Sequence, residues 1–313
     1  MVQETSVKEK VVIIAGPTAS GKTGLSVKLA KALNGEIISA DSMQIYKHFD
    51  VGSAKVTEEE MDGVVHHMLS FCELNSEFSV SEFTDMVREK ITEINSRKKL
   101  PIVVGGTGLF IQSLLYPYSF AGAAKDDKIR QKYQLLSEKY GKEYVYNILM
   151  EKDAERAKKL HPNDSKRVIR ALEVLELGGS QNVEEFNSES RYDFMFFCLD
   201  FPRDVLYERI NLRVDIMLKD GLKNEIDNLL SLGAKWSSQA MQGIGYKEWK
   251  PYYENNATIE EVSEIIKKNT RNYAKRQLTW FRHRDNVIWV DNTDSKKALD
   301  EILNKIKEEK KWE

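Results

Sequence analysis

The stretch VVIIAGPTASGKT, Val11–Thr23, decides the fold of this chain. Its first half is an unbroken apolar, β-branched run, the pattern of a strand buried on both faces. Its second half is Gly16, Pro17, Thr18, Ala19, Ser20, Gly21, Lys22 and Thr23, which fits the eight-position phosphate-loop template. The backbone amides of Thr18 to Lys22 are expected to point into the loop at an anion. The following helix N-terminus adds roughly half a positive charge and Lys22 a full one. Thr23 supplies a hydroxyl suited to Mg²⁺. Read alone, the loop is a nucleotide- and ATP-binding signature. It leaves open whether the phosphate is moved, hydrolysed or discarded as a leaving group.

Working outward, short β-branched runs alternate with amphipathic helices. Lys22–Leu33 reads as a helix ended by Asn34-Gly35, EIISADS as a second strand and HHMLSFCEL as a third. A helix follows with Val80, Phe83, Val87, Ile91 and Ile94 at three-to-four spacing, with Ser79 or Ser81 as its cap. Pro101 leads into a fourth strand, IVVGG. Alternating strand and helix predicts an α/β fold, a P-loop NTPase-like parallel sheet with helices on both faces. The alternation stops near Tyr118. Charged helices fill the chain to Arg191, after which FMFFCLDFP and VIWVD (Val287–Asp291) resume the strands. The expected organisation is a core of residues 1–117 and 193–313, with an all-helical insertion domain at 118–192. Between the last two strands, helices are expected over Asp204–Leu232, broken near Gly221, and over Thr258–Phe281.

The chain has 313 residues, 41% hydrophobic and 31% charged, an ordinary globular balance. Its net charge of −2 rules out an overall basic field, so nucleic acid would have to meet local clusters of Lys and Arg. The polar start MVQETSVKEK carries no apolar signal region, and no apolar run is long enough to cross a bilayer. Two cysteines, Cys72 and Cys198, are too few for a disulfide framework or a zinc site. Neighbours on a strand point to opposite faces, so His66 and His67 do not read as a metal pair. A cytoplasmic protein without membrane contact is expected.

Two carboxylates could serve the loop. Asp200, in FFCLDFP, is the candidate for the Mg²⁺-holding position at the end of a second strand. Asp41, in SADSMQIY, ends the second strand on the side of the sheet where ligands bind in open α/β folds. There it could take a proton from a nucleophile, or it could simply cap the next turn. Thr107, in GGTGLF, is placed either as a helix N-cap or as a substrate contact.

Basic residues cluster in two places. From Lys267 to Arg284 there are seven Lys and Arg and no acid. On a helix, Lys268, Arg271, Lys275 and Arg282 fall within a wedge of about 60°, with Tyr273 and Trp280 opposite on the side expected to be buried. In the insertion, Lys166, Arg167 and Arg170 stand in the first turns of a helix, where bases oppose the dipole preference and suggest an anionic partner.

Together GPTASGKT, ISADSMQIYKHFDVGSAK, PIVVGGTGLF, HPNDSKRVIRALEV, MQGIGYKE and AKRQLTWFR, in order from Val11 to about Arg284, resemble the tRNA dimethylallyltransferase family. The resemblance implies transfer of a dimethylallyl group from dimethylallyl diphosphate to the exocyclic N6 amine of the adenosine 3′ to the anticodon in tRNA. Diphosphate over Gly16–Thr23 is then the leaving group, with Lys22, Thr23, Mg²⁺ and Arg213 stabilising it. Asp41 resembles the family's general base and Thr107 its tRNA-contacting threonine. The family pattern also marks Asp41, Ser42, Met43 and Gln44, Arg130, Lys166, Arg167, Val168, Ile169 and Arg170 as tRNA contacts. To these it adds Gln242, Gly243, Ile244, Gly245, Tyr246 and Lys247, with Arg271, Lys275, Arg276 and Arg282 on the basic helix. A monomer of the bacterial form is expected, since no cysteine follows Cys198 to build the zinc finger of eukaryotic relatives. The tail of the insertion, GGSQNVEEFNSESRYD, is shorter and more acidic than that pattern. A P-loop kinase of a small metabolite, and a prenyltransferase acting on free adenine nucleotides, are the competing readings. The first would consume ATP, and the second has no use for a basic face.

Overall fold

The computed structural model describes residues 8–116, 126–178 and 189–309. The acidic tail of the insertion and the junction near Tyr118 lie largely outside them. The chain divides into two compact units, Met1–Tyr116 with Ser190–Glu313, and Pro117–Glu189. These divisions fall within a few residues of the sequence expectation.

The first unit runs β1 (Lys10–Ala15), α1 (Lys22–Ala32), β2 (Gly35–Ser39), α2 (Glu58–Met61), β3 (His66–His67), α3 (Val80–Ser96), β4 (Leu100–Gly105) and α4 (Gly108–Leu115). The second unit holds α5 (Asp127–Tyr140), α6 (Lys142–Lys152), α7 (Ala154–Ala157) and α8 (Ser165–Glu176). The chain then returns to the first unit with β5 (Asp193–Asp200), α9 (Arg203–Lys219), α10 (Leu222–Ser231), α11 (Lys250–Tyr253), α12 (Ile259–Arg282), β6 (Ile288–Asp291) and α13 (Ser295–Glu308).

Six strands form one sheet in the order β3-β2-β4-β1-β5-β6, and every pairing is parallel. Successive residues of β1 face opposite sides. Val11 and Ile13 join Val103, Phe196, Phe83, Val87 and Phe281 in one core. Val12 and Ile14 join Leu25, Leu29, Phe197 and Ile302 in the other. Both faces are therefore covered, and each fully buried Val or Ile contributes about 1.5–3 kcal/mol. The loops after β1, β2 and β4 open together at the C-terminal edge, where open α/β sheets bind ligands.

One expectation is corrected. The third strand shrinks to His66–His67, because Met68 and Ser70 adopt φ of 63° and 51° and bend the chain away. The helix α13 was not anticipated. Among the described residues no helix is long and apolar enough to cross a membrane.

In the second unit, Tyr133, Val145, Leu149, Val168 and Leu172 pack into a core of their own. The buried carboxylate of Glu173 accepts from Arg130 Nε at 2.8 Å, from Arg170 Nη1 at 2.6 Å and from the Asp126 amide at 2.8 Å.

Candidate active site

The phosphate loop is shaped by partners that fix its carbonyls outward. Arg209 Nε, from α9, donates to Ala19 O at 2.9 Å. The buried Asn292, just past β6, donates through Nδ2 to Ser20 O at 2.8 Å. Gly21 sits at φ 78°, and a Cβ there would stand 2.9 Å from that same Asn292 nitrogen. Lys22 Nζ folds back onto the loop and donates to Gly16 O at 3.0 Å and Pro17 O at 2.7 Å.

The sequence reading aimed every amide from Thr18 to Lys22 at an anion. The structure commits two of them internally: Thr18 N donates to Gln277 Oε1 at 3.0 Å, and Ser20 N to Pro17 O at 3.3 Å. The amides of the first turn of α1 lie beyond the reach of intrahelical acceptors and supply the anion-binding end.

Two cavities meet at this loop. One, about 440 Å³, is lined by the loop itself with Glu60, Gly106, Arg209, Arg213 and Gln277. The other, about 320 Å³, is lined by Ser42, Met43, Ile210, Val214, Met217, Gln242–Gly245, Lys247 and Arg276. Thr18, Asp41, Ser53, Arg213 and Tyr273 line both. The junction therefore gathers a carboxylate, a guanidinium and a phenol beside the loop.

Of the two roles the sequence allowed Asp41, the structure displays the cap. Its Oδ1 accepts from the amides of Met43 at 2.8 Å and Gln44 at 3.4 Å, which caps the turn. The same carboxylate faces both cavities. Lys22 has its ammonium held down at about 8, first by desolvation and then by the Arg213 charge, with Asp41 pulling the other way. Arg213 is itself lowered by burial, against the attraction of Asp41 and Glu60. Tyr273 is pushed up to about 12 by burial and by the Asp41 charge, while hydrogen bonds with Thr107 and Gln277 oppose the shift. Thr107 occupies the N-cap position of α4 without a side-chain cap bond. Its hydroxyl meets Tyr273 instead.

Asp200 is turned elsewhere: its Oδ1 accepts from the Phe201 amide at 2.9 Å, and Oδ2 lies 3.9 Å from Arg282. Among the described residues no group of three His, Cys, Asp or Glu is placed to hold a metal. A smaller cavity beside Lys22 and Thr23 presents the polar side chains of Ser26, Ser39, Asp41, Gln44 and His66 among the apolar Ile37, Val56 and Val104. That donor set suits a hydrated Mg²⁺ held partly by phosphate oxygens, which needs few protein ligands.

The remaining candidates divide by exposure. Lys275, Arg276 and Arg282 stand exposed on α12, as do Lys166 and Arg167 on α8. Arg271 donates to Asn211 Oδ1. Lys267 is neutralised by Asp215 at 2.8 Å and Glu264 at 3.0 Å, acids that the stretch Lys267–Arg284 does not contain. Val168 and Tyr246 are buried, at 1% and 0% exposure, so neither side chain offers a surface to RNA. Tyr246 instead packs at a tilt against Phe49, with ring centroids 4.8 Å apart, and donates to Glu225 Oε1 at 2.8 Å. Glu225 also takes the amides of Asp50, Val51 and Gly52, which fixes one wall of the smaller cavity. Tyr273, expected on the buried side of α12, is half-buried and faces both cavities. The buttressing residues Arg209, Glu225 and Asn292 carried no motif by which the sequence could reveal them, and Gln277 lay within AKRQLTWFR without being singled out.

At the level of class, this is a phosphate-loop α/β protein whose two cavities join at Asp41. The model of the IPP transferase family matches residues 44–284, and the chain belongs to that family. It is 49% identical over 306 residues to a tRNA dimethylallyltransferase of Bacillus cytotoxicus, covering 97% of this chain and 96% of the relative. Identity to the protein of that name from Bacillus anthracis is 50% over 302 residues, covering 96% of each. Among solved structures, the full-length tRNA isopentenylpyrophosphate transferase of Bacillus halodurans superposes with TM-score 0.73 at 44% identity, covering 96% of both chains. A eukaryotic dimethylallyltransferase acting on tRNA gives 0.77 at 31% identity, over 95% of this chain and 80% of that one.

Proposed function

We propose that this protein transfers the dimethylallyl group of dimethylallyl diphosphate to N6 of the adenosine 3′ to the anticodon in tRNA and releases diphosphate. The observation that carries this reading is the junction. A phosphate-loop cavity and a second cavity share Asp41 and Arg213, so a leaving group and an incoming nucleophile can approach from opposite sides. The diphosphate lies over Gly16–Thr23, where first-turn amides, Lys22 and Arg213 stabilise the charge that grows on it. The adenine enters the smaller cavity, past Met43 and Gln242–Lys247, after leaving its stack. As the C–O bond to diphosphate breaks, N6 forms the C–N bond, and Asp41 accepts the proton that N6 loses.

A bound Mg²⁺ would supply charge neutralisation at the diphosphate, with the Thr23 hydroxyl and the polar side chains beside it as its protein contacts. The apolar walls Ile210, Val214 and Met217 exclude the water that would otherwise capture an allylic cation. The exposed bases of α12 meet tRNA phosphates. In the second unit Arg130, held by Glu173, and the first turns of α8 do the same. Two buried free cysteines accord with a reducing cytoplasm.

The test is incubation with radiolabelled dimethylallyl diphosphate, Mg²⁺ and unmodified tRNA without any nucleoside triphosphate. Label in the anticodon-adjacent nucleoside supports the reading. Transfer only to free AMP, ADP or ATP, or a strict need for ATP, contradicts it.

A further inference from the structure

One buried side chain ties the phosphate loop to the rest of the site. Gln277, on α12, is 6% exposed. Its Oε1 accepts from the Thr18 amide at 3.0 Å, and its Nε2 donates to Gly106 O at 2.9 Å. Tyr273 stands one turn back on the same helix and lines the same cavity. A Cβ on Gly106 would come within 2.1 Å of Nε2, so the glycine is what lets the carboxamide reach in.

We propose that Gln277 is a positioning residue of the diphosphate loop. Only a carboxamide both accepts from one backbone amide and donates to a carbonyl on another strand's loop with this reach. By holding the Thr18 amide it fixes the first half of the loop. The donors that remain for the ligand are then presented at one spacing, already ordered before the ligand arrives. By holding Gly106 O it sets the loop against the β4–α4 turn, from which Thr107 contacts Tyr273. Because Lys275 and Arg276 lie on the exposed side of the same helix, the diphosphate loop and the basic face share one rigid element.

This role rests on the diphosphate reading given above, and the test separates the two. The affinity of Mg²⁺-pyrophosphate is measured by calorimetry for the wild-type protein, Gln277→Ala, Gln277→Glu and Gly106→Ala, together with thermal midpoints and steady-state kinetics. Gln277→Glu keeps the acceptor for Thr18 and loses the donor to Gly106. Gly106→Ala leaves Gln277 in place and displaces its amide. Leaving one buried polar group unmatched predicts pyrophosphate binding weaker by about tenfold in each variant. KM for dimethylallyl diphosphate should rise accordingly, with KM for tRNA within about twofold. A residue that merely stabilised the fold would lower the midpoint and leave pyrophosphate affinity unchanged. Wild-type binding with affinities within twofold in the folded variants overturns the proposal. Failure of the wild-type protein to bind pyrophosphate overturns the loop reading itself, and this role with it.

Discussion

Arg213 on α9 and Lys22 on α1 face one cavity, and the Arg213 charge, second only to desolvation, holds the Lys22 ammonium at about 8. The two cations repel, Asp41 offsets that repulsion only in part, and a bound diphosphate would relieve the rest. Anion binding and protonation of Lys22 are therefore linked.

Pyrophosphate affinity should be fully supported by Lys22 below pH about 7 and should fall as the pH passes through about 8, as the free ammonium loses its proton. The sign follows because the bound anion favours the charged form and so raises the lysine's affinity for its proton. Measured as a ratio, the advantage of wild type over Lys22→Ala should narrow above pH about 9. A ratio that stays constant across that window would remove Lys22 from the anion site.

Asp41→Asn keeps a side-chain oxygen to cap the Met43 amide and loses the proton acceptor. Transfer should fall by about 10²–10⁴ in single-turnover kinetics, with tRNA affinity changed by less than about threefold. Near-normal turnover would deny Asp41 its role.

The two lysines Lys275 and Lys267 should behave differently, although only eight positions separate them on α12. Lys275 is exposed, so Lys275→Ala should weaken tRNA binding and reduce the slope of log affinity against log salt by about one. Lys267 is spent on Asp215 and Glu264, so Lys267→Ala should leave the slope unchanged. Equal slopes for the two variants would contradict the assignment of the exposed face.

At the start of β2, Glu36 is buried and paired with His67 at 2.7 Å, with both Arg97 terminal nitrogens at 2.9 Å, and with Lys99 at 2.9 Å. Burial alone would raise its carboxyl, but the hydrogen bonds from His67, Lys99 and Arg97 outweigh it and bring the value to about 2. A depressed carboxyl stabilises the fold above its unfolded value of 4.5 and loses that contribution as the pH falls towards 2. Glu36→Gln should cost about 3 kcal/mol at neutral pH and flatten the acid limb of the stability curve between those values. Identical acid limbs in urea melts would refute the pairing.

What could be read from the sequence was local. The phosphate loop is a contiguous string, and the α3 helix announces itself by apolar spacing and by Ser79, which does cap it. Asp41 was legible because it follows a strand. The pieces that hold the loop were not: Arg209 and Asn292 are lone polar residues far along the chain, Gln277 stood in AKRQLTWFR with no sign of its partners, and only the tertiary fold carries all three to the loop. Lys267 misled for the same reason, since Asp215 sits on another helix. The third strand failed because two left-handed residues, Met68 and Ser70, left no mark in an otherwise strand-like run.

The most direct measurement is the stoichiometry of the reaction itself, with pyrophosphate released and prenylated nucleoside formed counted in the same tube containing tRNA, dimethylallyl diphosphate and Mg²⁺. One pyrophosphate for each N6-prenylated adenosine, with no triphosphate present, is the predicted result. Inorganic phosphate released from a triphosphate, with no prenyl group on the RNA, would contradict it.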